Sequence, residues 1–195
     1  MTNGTADLAA ITDKLFASAQ RARVSFEATT DIYSSLARST KSLGTSQADL
    51  LSVTETINKA LIVSGASAAT AEGALTQLGQ GFASGTLRGD ELNSVLEGTP
   101  RLAQAIADRM GVTVGQLRKL GGEGKITGET VFNALKGQKD AVEAEFAKMP
   151  TTIGQSFVQL RNEILKYVDE ADTAGGTSAA FAEGVALLAR NLAGC

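Results

Sequence analysis

The sequence predicts an all-α fold. Apolar residues recur at helical spacing along almost the whole chain, no stretch carries a sustained period-2 run of β-branched residues, and proline occurs only at Pro100 and Pro150. Ala, Gly, Ser and Thr are abundant, Trp is absent and aromatics make up 5% of the chain. That composition suits closely packed helices with thin seams. The expected architecture is a compact cluster of short helices with Gly-rich corners, flanked by longer amphipathic helices.

Residues 6–40 place Leu8, Ile11, Leu15, Phe16, Ala19, Ala22, Phe26, Ile32 and Leu36 at steps of three, four and six, which predicts one long amphipathic helix bent near Thr29-Thr30. Gly44-Thr45-Ser46 ends it. Ser46 caps the next helix, with Asp49 three residues on, and Leu50, Val53, Ile57 and Leu61 line its face. Ser64-Gly65 breaks that helix, and a small-residue helix over 67–83 follows, with Glu72 in its first turn.

Two stretches then share one pattern. GTLRGDEL at 85–92 and GKITGETV at 124–131 both read Gly, any, Leu or Ile, any, Gly, acid, any, Leu or Val. Each is expected to close one helix and open the next. Gly85 and Gly124 suit the left-handed position after a helix, and Leu87 and Ile126 pack back onto the core. Gly89 and Gly128 open the next helices, the first with Asp90 accepting from free backbone N–H groups and Leu92 facing inward. Between the corners, Thr99-Pro100 provides an N-cap and a proline at the first helical position. That helix runs to Gly111, and a brief helix carries Leu117. Beyond the second corner one helix is expected through Val131, Leu135 and Phe146. Thr151 or Thr152 caps a last long helix through Ile153, Phe157, Leu160, Ile164 and Tyr167. Gly175-Gly176 breaks it, and 178–193 reads as a final small-residue helix. The corners are read as structural junctions, because a phosphate loop needs a preceding strand and a Lys at fixed spacing.

Composition excludes several chemistries. There is no His, and the single cysteine is Cys195, so Ser-His-Asp and Cys-His catalysis, His/Cys zinc sites and an intramolecular disulfide are all ruled out. Carboxylate pairs such as Asp90/Glu91, Glu143/Glu145 and Asp169/Glu170 read as solvated helix faces rather than acid–base sites. No enzyme activity, cofactor or small-molecule substrate is expected. The start, MTNGTADLAA, lacks the layout of a signal peptide. AAFAEGVALLA at 179–189 falls short of a membrane span and is interrupted by Glu183. Arg88-Gly89-Asp90 spells an adhesion tripeptide but sits at a helix start. The stretch 101–125 resembles a helix-turn-helix, with Arg109, Arg118, Lys119 and Lys125 as its DNA-contact face. Its second helix starts Thr113-Val114-Gly115-Gln116, which offers little base readout, and the chain is net −3.

The ordered series GQGFASGTLRGDELNSVLEGTPRLAQAIADRMGVTVGQLRKLGGEGKITGETVFNAL resembles the central region of tape measure proteins of long-tailed bacteriophages and prophages. Its carriers are Gly85, Leu87, Gly89, Glu91 and Leu92, then Glu97 and Pro100, Ala103 and Ala107, Gly111-Val112, Leu117, Gly124 to Thr127, and Ala134-Leu135. TTIGQSFVQLRNEILKYV at 151–168 resembles the helix that follows, so the similarity covers about 45–170. The resemblance implies a structural, non-enzymatic protein made in the host cytoplasm and carried in the lumen of the virion tail. There it determines tail length and leaves when DNA is ejected. It implies copies of itself and tail-tube and assembly proteins as partners, by coiled-coil contacts, and membrane contact only during ejection. DNA binding through 101–125 is the alternative.

Three regions are expected: 1–44, a long helix for self-association or linkage; 45–150, a compact helical domain; and 151–195, helices leading toward a continuation. A fully helical chain of this length would reach roughly 290 Å at 1.5 Å per residue, and the glycine corners shorten this one much further. The segment therefore reads as a folded module of, or encoded ahead of, a longer chain, and the AGC ending after an unfinished helix fits a boundary.

Overall fold

A computed structural model describes residues 3–173, and every absence stated below refers to these residues. They form α1 (Asn3–Ala22), α2 (Phe26–Ser39), a 3-10 turn (Lys41–Leu43), α3 (Gln47–Val63), α4 (Ala68–Ser84), α5 (Gly89–Gly98), α6 (Pro100–Met110), α7 (Val114–Gly122), α8 (Gly128–Lys136), α9 (Lys139–Phe146) and α10 (Ile153–Thr173). No strand is present among them; the one isolated bridge joins Thr86 to Thr127. The expected Gly175-Gly176 break and the helix over 178–193 lie outside the described residues.

Helix α3 is the hub. It packs on α1, α2, α6, α8 and α9. The main core draws Ile32 and Leu36 from α2, Ile57 and Leu61 from α3, Leu78 and Phe82 from α4, Leu92 and Val95 from α5, Leu102 and Ile106 from α6, Leu117 from α7 and Val131 and Leu135 from α8. A smaller cluster joins Ala19, Ala22, Val24, Ile62 and Phe146. Helix α2 thus shares its core with the helices that follow residue 45.

Two helices expected as continuous are broken. The first break falls at Arg23–Ser25, not at Thr29-Thr30. Arg23 adopts φ 58°, its amide donates to Gln20 O (3.2 Å), and the amide of Val24 donates to Ala19 O (3.1 Å). This is the paired closure that usually recruits glycine. Ser25 then caps α2 by accepting from the Ala28 amide at 3.2 Å. Thr29 and Thr30 stay helical, and their hydroxyls donate to the carbonyls of Ser25 (3.0 Å) and Phe26 (2.9 Å) within the helix. The second break, at Gly137-Gln138, separates α8 from α9: Gln138 N–H donates to Leu135 O (3.1 Å), tightening the last turn of α8.

Caps follow the sequence in part. Ser46 accepts from the Asp49 amide at 3.1 Å, and Thr152 accepts from Gln155 at 3.2 Å. Thr99 does not cap α6: its hydroxyl donates backward to Val95 O, while Pro100 takes the first helical position. Asp90 is not the acceptor at the start of α5 either. That role falls to Glu91, whose Oε2 accepts from the Arg88 amide at 3.3 Å, while Asp90 lies exposed in the first turn.

Candidate assembly site

The repeated corners meet. The Leu87 amide donates to Ile126 O at 2.8 Å, and the Gly128 amide donates to Gly85 O at 3.1 Å. Thr86 and Thr127 lie opposite each other between these bonds. Gly85 (φ 82°) and Gly124 (φ 66°) provide the left-handed backbone that reverses each chain. Leu87 and Ile126 are fully buried, as are Leu92 on α5 and Leu117 on α7. Gly111 (φ 66°) closes α6 in the same left-handed way.

Gly89 and Gly128 have ordinary φ values. A Cβ on Gly128 would lie 3.0 Å from the Phe82 ring, so that glycine serves packing. Two further glycines matter that motif reading did not single out. A Cβ on Gly81 would sit 2.7 Å from Leu87 Cγ, and one on Gly121 would sit 2.2 Å from Leu92 Cδ2. Each leucine at or just after the first corner therefore occupies the space vacated by a helical glycine. Their signal was weak, because glycine inside a small-residue helix looks like tolerated composition.

A charged cluster ties α1 to α3 and α9. Arg21 grips Glu55 through Nε (3.1 Å) and Nη2 (2.5 Å). Ser18 donates to the same carboxylate at 3.1 Å. Buried Lys59 reaches Glu55 at 2.8 Å and also Glu143. Burial pushes the Glu55 pKa up, but the hydrogen bonds and charges of Arg21 and Lys59 outweigh it and hold the group at about 2. The Arg23 guanidinium lies 4.5 Å from the Phe146 ring centre. Glu143 and Glu145, expected as a solvated pair, are about half exposed and also pair with Lys59 and Arg101.

Helix α10 is seated by its polar side. Gln20 and Gln159 exchange side-chain amide to backbone bonds (3.2 and 2.9 Å). Buried Asn162 accepts from the Phe26 amide (3.0 Å) and donates to Val24 O (2.8 Å). Arg161 pairs with Glu27 at 3.0 Å. Apolar residues along this helix face out: Ile153 is 79% exposed, Phe157 66%, Leu160 53%. Beneath the helix's first turns lies a cleft of about 430 Å³, lined by Val24, Ile62, Leu75, Met149 and Val158 among others. The spacing of 153, 157, 160, 164 and 167 is four, three, four, three, which is the seam of a two-helix contact.

The family model described as "Tape measure protein" matches residues 1–173. The chain belongs to the tape measure protein family. No match was found among curated proteins or solved structures. As a tape measure protein it has a structural role in the phage tail. The four basic residues of the alternative reading are all exposed. Arg109 lies over Gly137, 2.8 Å from where a Cβ would stand. Lys125 pairs with Glu123 at 2.8 Å, while Arg118 and Lys119 are exposed on α7. The residues that open α7 are engaged in a capping box: Thr113 accepts from the Gln116 amide (3.2 Å), and Gln116 accepts from the Thr113 amide (2.8 Å). Among the described residues of this tape measure protein no group of acidic, His or Cys side chains could hold a metal, and no helix is long and apolar enough to cross a membrane.

Proposed function

We propose that this chain is the folded module of a tape measure protein that sits within the growing tail, takes part in fixing tail length and is released when DNA is ejected. The family match along residues 1–173 carries the reading. The paired corners support it: they keep the middle of the chain compact, so the length of the ruler resides in sequence joined to this module rather than in the module. Copies of the chain and tail-tube proteins are the proposed partners. Their contact surface is the exposed start of α10, Ile153 and Phe157, together with Leu8 on α1, all large apolar side chains facing solvent. The role is that of a scaffold, without catalysis.

The test is genetic. Phage carrying Leu87→Asp in this module are expected to yield few tails or tails of irregular length in electron micrographs. Virions with tails of normal number and length, and normal infectivity, would overturn the proposal. Phe157→Glu, which leaves the core alone, separates loss of partner contact from loss of folding.

A further inference from the structure

A cleft of about 480 Å³ opens where α1, α3 and α9 meet. Sequence spacing aims charge into it from all three helices. Lys14 and Arg21 stand two turns apart on one face of α1, Glu55 and Lys59 one turn apart on α3, and Lys139 and Glu143 one turn apart on α9. Four of these charges cancel. Arg21 and Lys59 both meet Glu55, and Lys59 also meets Glu143. Lys14 and Lys139 are left over: both are exposed, both line the cleft, and neither has a carboxylate within ion-pair distance among the described residues. The acids beside them in sequence do not serve them. Asp13 pairs with Lys166 at 3.9 Å, and Asp140 lies exposed and makes no ion pair. The cleft therefore carries two uncompensated positive charges in a chain of net charge −3. Lys139 is also the first residue of α9, where the helix dipole already favours an anion.

We infer that the cleft between α1, α3 and α9 binds an acidic segment of a partner protein, with Lys14 and Lys139 each receiving a carboxylate. Three features select a protein segment over a small or densely charged anion. The cleft is far larger than one small ion needs, a water molecule taking roughly 30 Å³. Ala48 and Leu51 line it as well and give the methylene stems of Asp and Glu an apolar surface. Glu143 stays half exposed at the cleft, and its charge repels a phosphate chain more strongly than single carboxylates spaced along a peptide. The site uses none of the apolar residues proposed above as partner contacts, so either reading can fail alone.

The test is fluorescence anisotropy with the purified chain and a short labelled peptide of alternating Glu and Ala, with single-stranded DNA of equal charge alongside. The peptide is expected to bind at low salt and to weaken as salt is added. Lys14→Glu with Lys139→Glu is expected to lower its affinity about tenfold, through two ion pairs lost and reversed. Arg118→Glu with Lys119→Glu makes the same change in net charge on α7 and is expected to leave binding unchanged. All four positions are exposed, and circular dichroism confirms that each variant is folded. Absence of peptide binding at low salt would overturn the inference, as would an equal loss in both charge reversals. DNA that binds more tightly than the peptide, and is released by the Lys14 and Lys139 changes, would assign the cleft to phosphates and overturn it too.

Discussion

The amide of Leu87 donates to the carbonyl of Ile126 at 2.8 Å, so two corners 39 residues apart in sequence are one joint in space. Both side chains are fully buried beneath the bridge. Truncating either to alanine is expected to cost about 2–5 kcal/mol. Because they brace a shared junction, the double variant is expected to cost less than the two losses added together. Gly85→Val, which forces a branched residue to φ 82°, and Leu87→Asp should each unfold or loosen the module. Thermal melts matching the wild type in both would remove the corner from the account of the fold.

Gly121 and Leu92 make the tightest helix contact at this joint. A Cβ at 121 would come within 2.2 Å of Leu92 Cδ2, a separation that no shift of a few tenths of an ångström resolves. Gly121→Ala is expected to destabilise by roughly 1–3 kcal/mol through overpacking, although alanine is the better helix former. Leu92→Val in the same chain should recover part of that loss, and urea denaturation of the two single variants and the double measures it. A stabilised Gly121→Ala would mean that the backbones separate freely here.

Glu55 sets an acid-sensitive link between α1, α3 and α9. Its pKa is held at about 2 against an ordinary 4.5. A depressed carboxyl contributes stability that is fully present above 4.5 and is lost as pH falls toward 2. Glu55→Gln should therefore lower stability at pH 7 and flatten the acid limb between these values. The loss should fall below the roughly 3–5 kcal/mol of a fully orphaned buried charge, because Lys59 retains Glu143. Denaturant midpoints at pH 7, 4 and 3 read the difference, and parallel pH curves for both proteins would show that Glu55 is not the linked group.

The parts legible in the sequence were those governed by local spacing. The helical periods, the Ser46 and Thr152 caps and the glycines after α4, α6 and α7 all act within a few residues of themselves. The break at Arg23 was hidden because an arginine holds the left-handed position that glycine normally marks. Pairing of the two corners, the glycine pockets under Leu87 and Leu92, and the Arg21–Glu55–Lys59–Glu143 chain all join residues distant in sequence, where a periodicity argument has no reach. Helix α10 was legible only in part. Its apolar stripe showed in the spacing, whereas the backbone partners of Asn162 and Gln159, which hold its other side, lie more than 130 residues away in sequence.

With these apolar residues outward, Asn162 is a principal fastening of α10. The side chain satisfies two backbone groups left open at the α1–α2 break, Val24 O and the Phe26 amide. An alanine there strands both groups and forfeits roughly 1–3 kcal/mol for a buried group left unsatisfied. Little apolar packing compensates, since Ile153, Phe157 and Leu160 face solvent and a cleft underlies the helix's first turns. Asn162→Ala is therefore expected to release α10 locally while the core of α3 to α8 stays folded, in keeping with the low local stability of poorly packed elements. Hydrogen exchange by mass spectrometry should show faster exchange over 153–168 and at Phe26, with unchanged protection over 92–107. Protection of 153–168 equal to the wild type would show that the helix is held by its ion pairs and neighbouring glutamines instead.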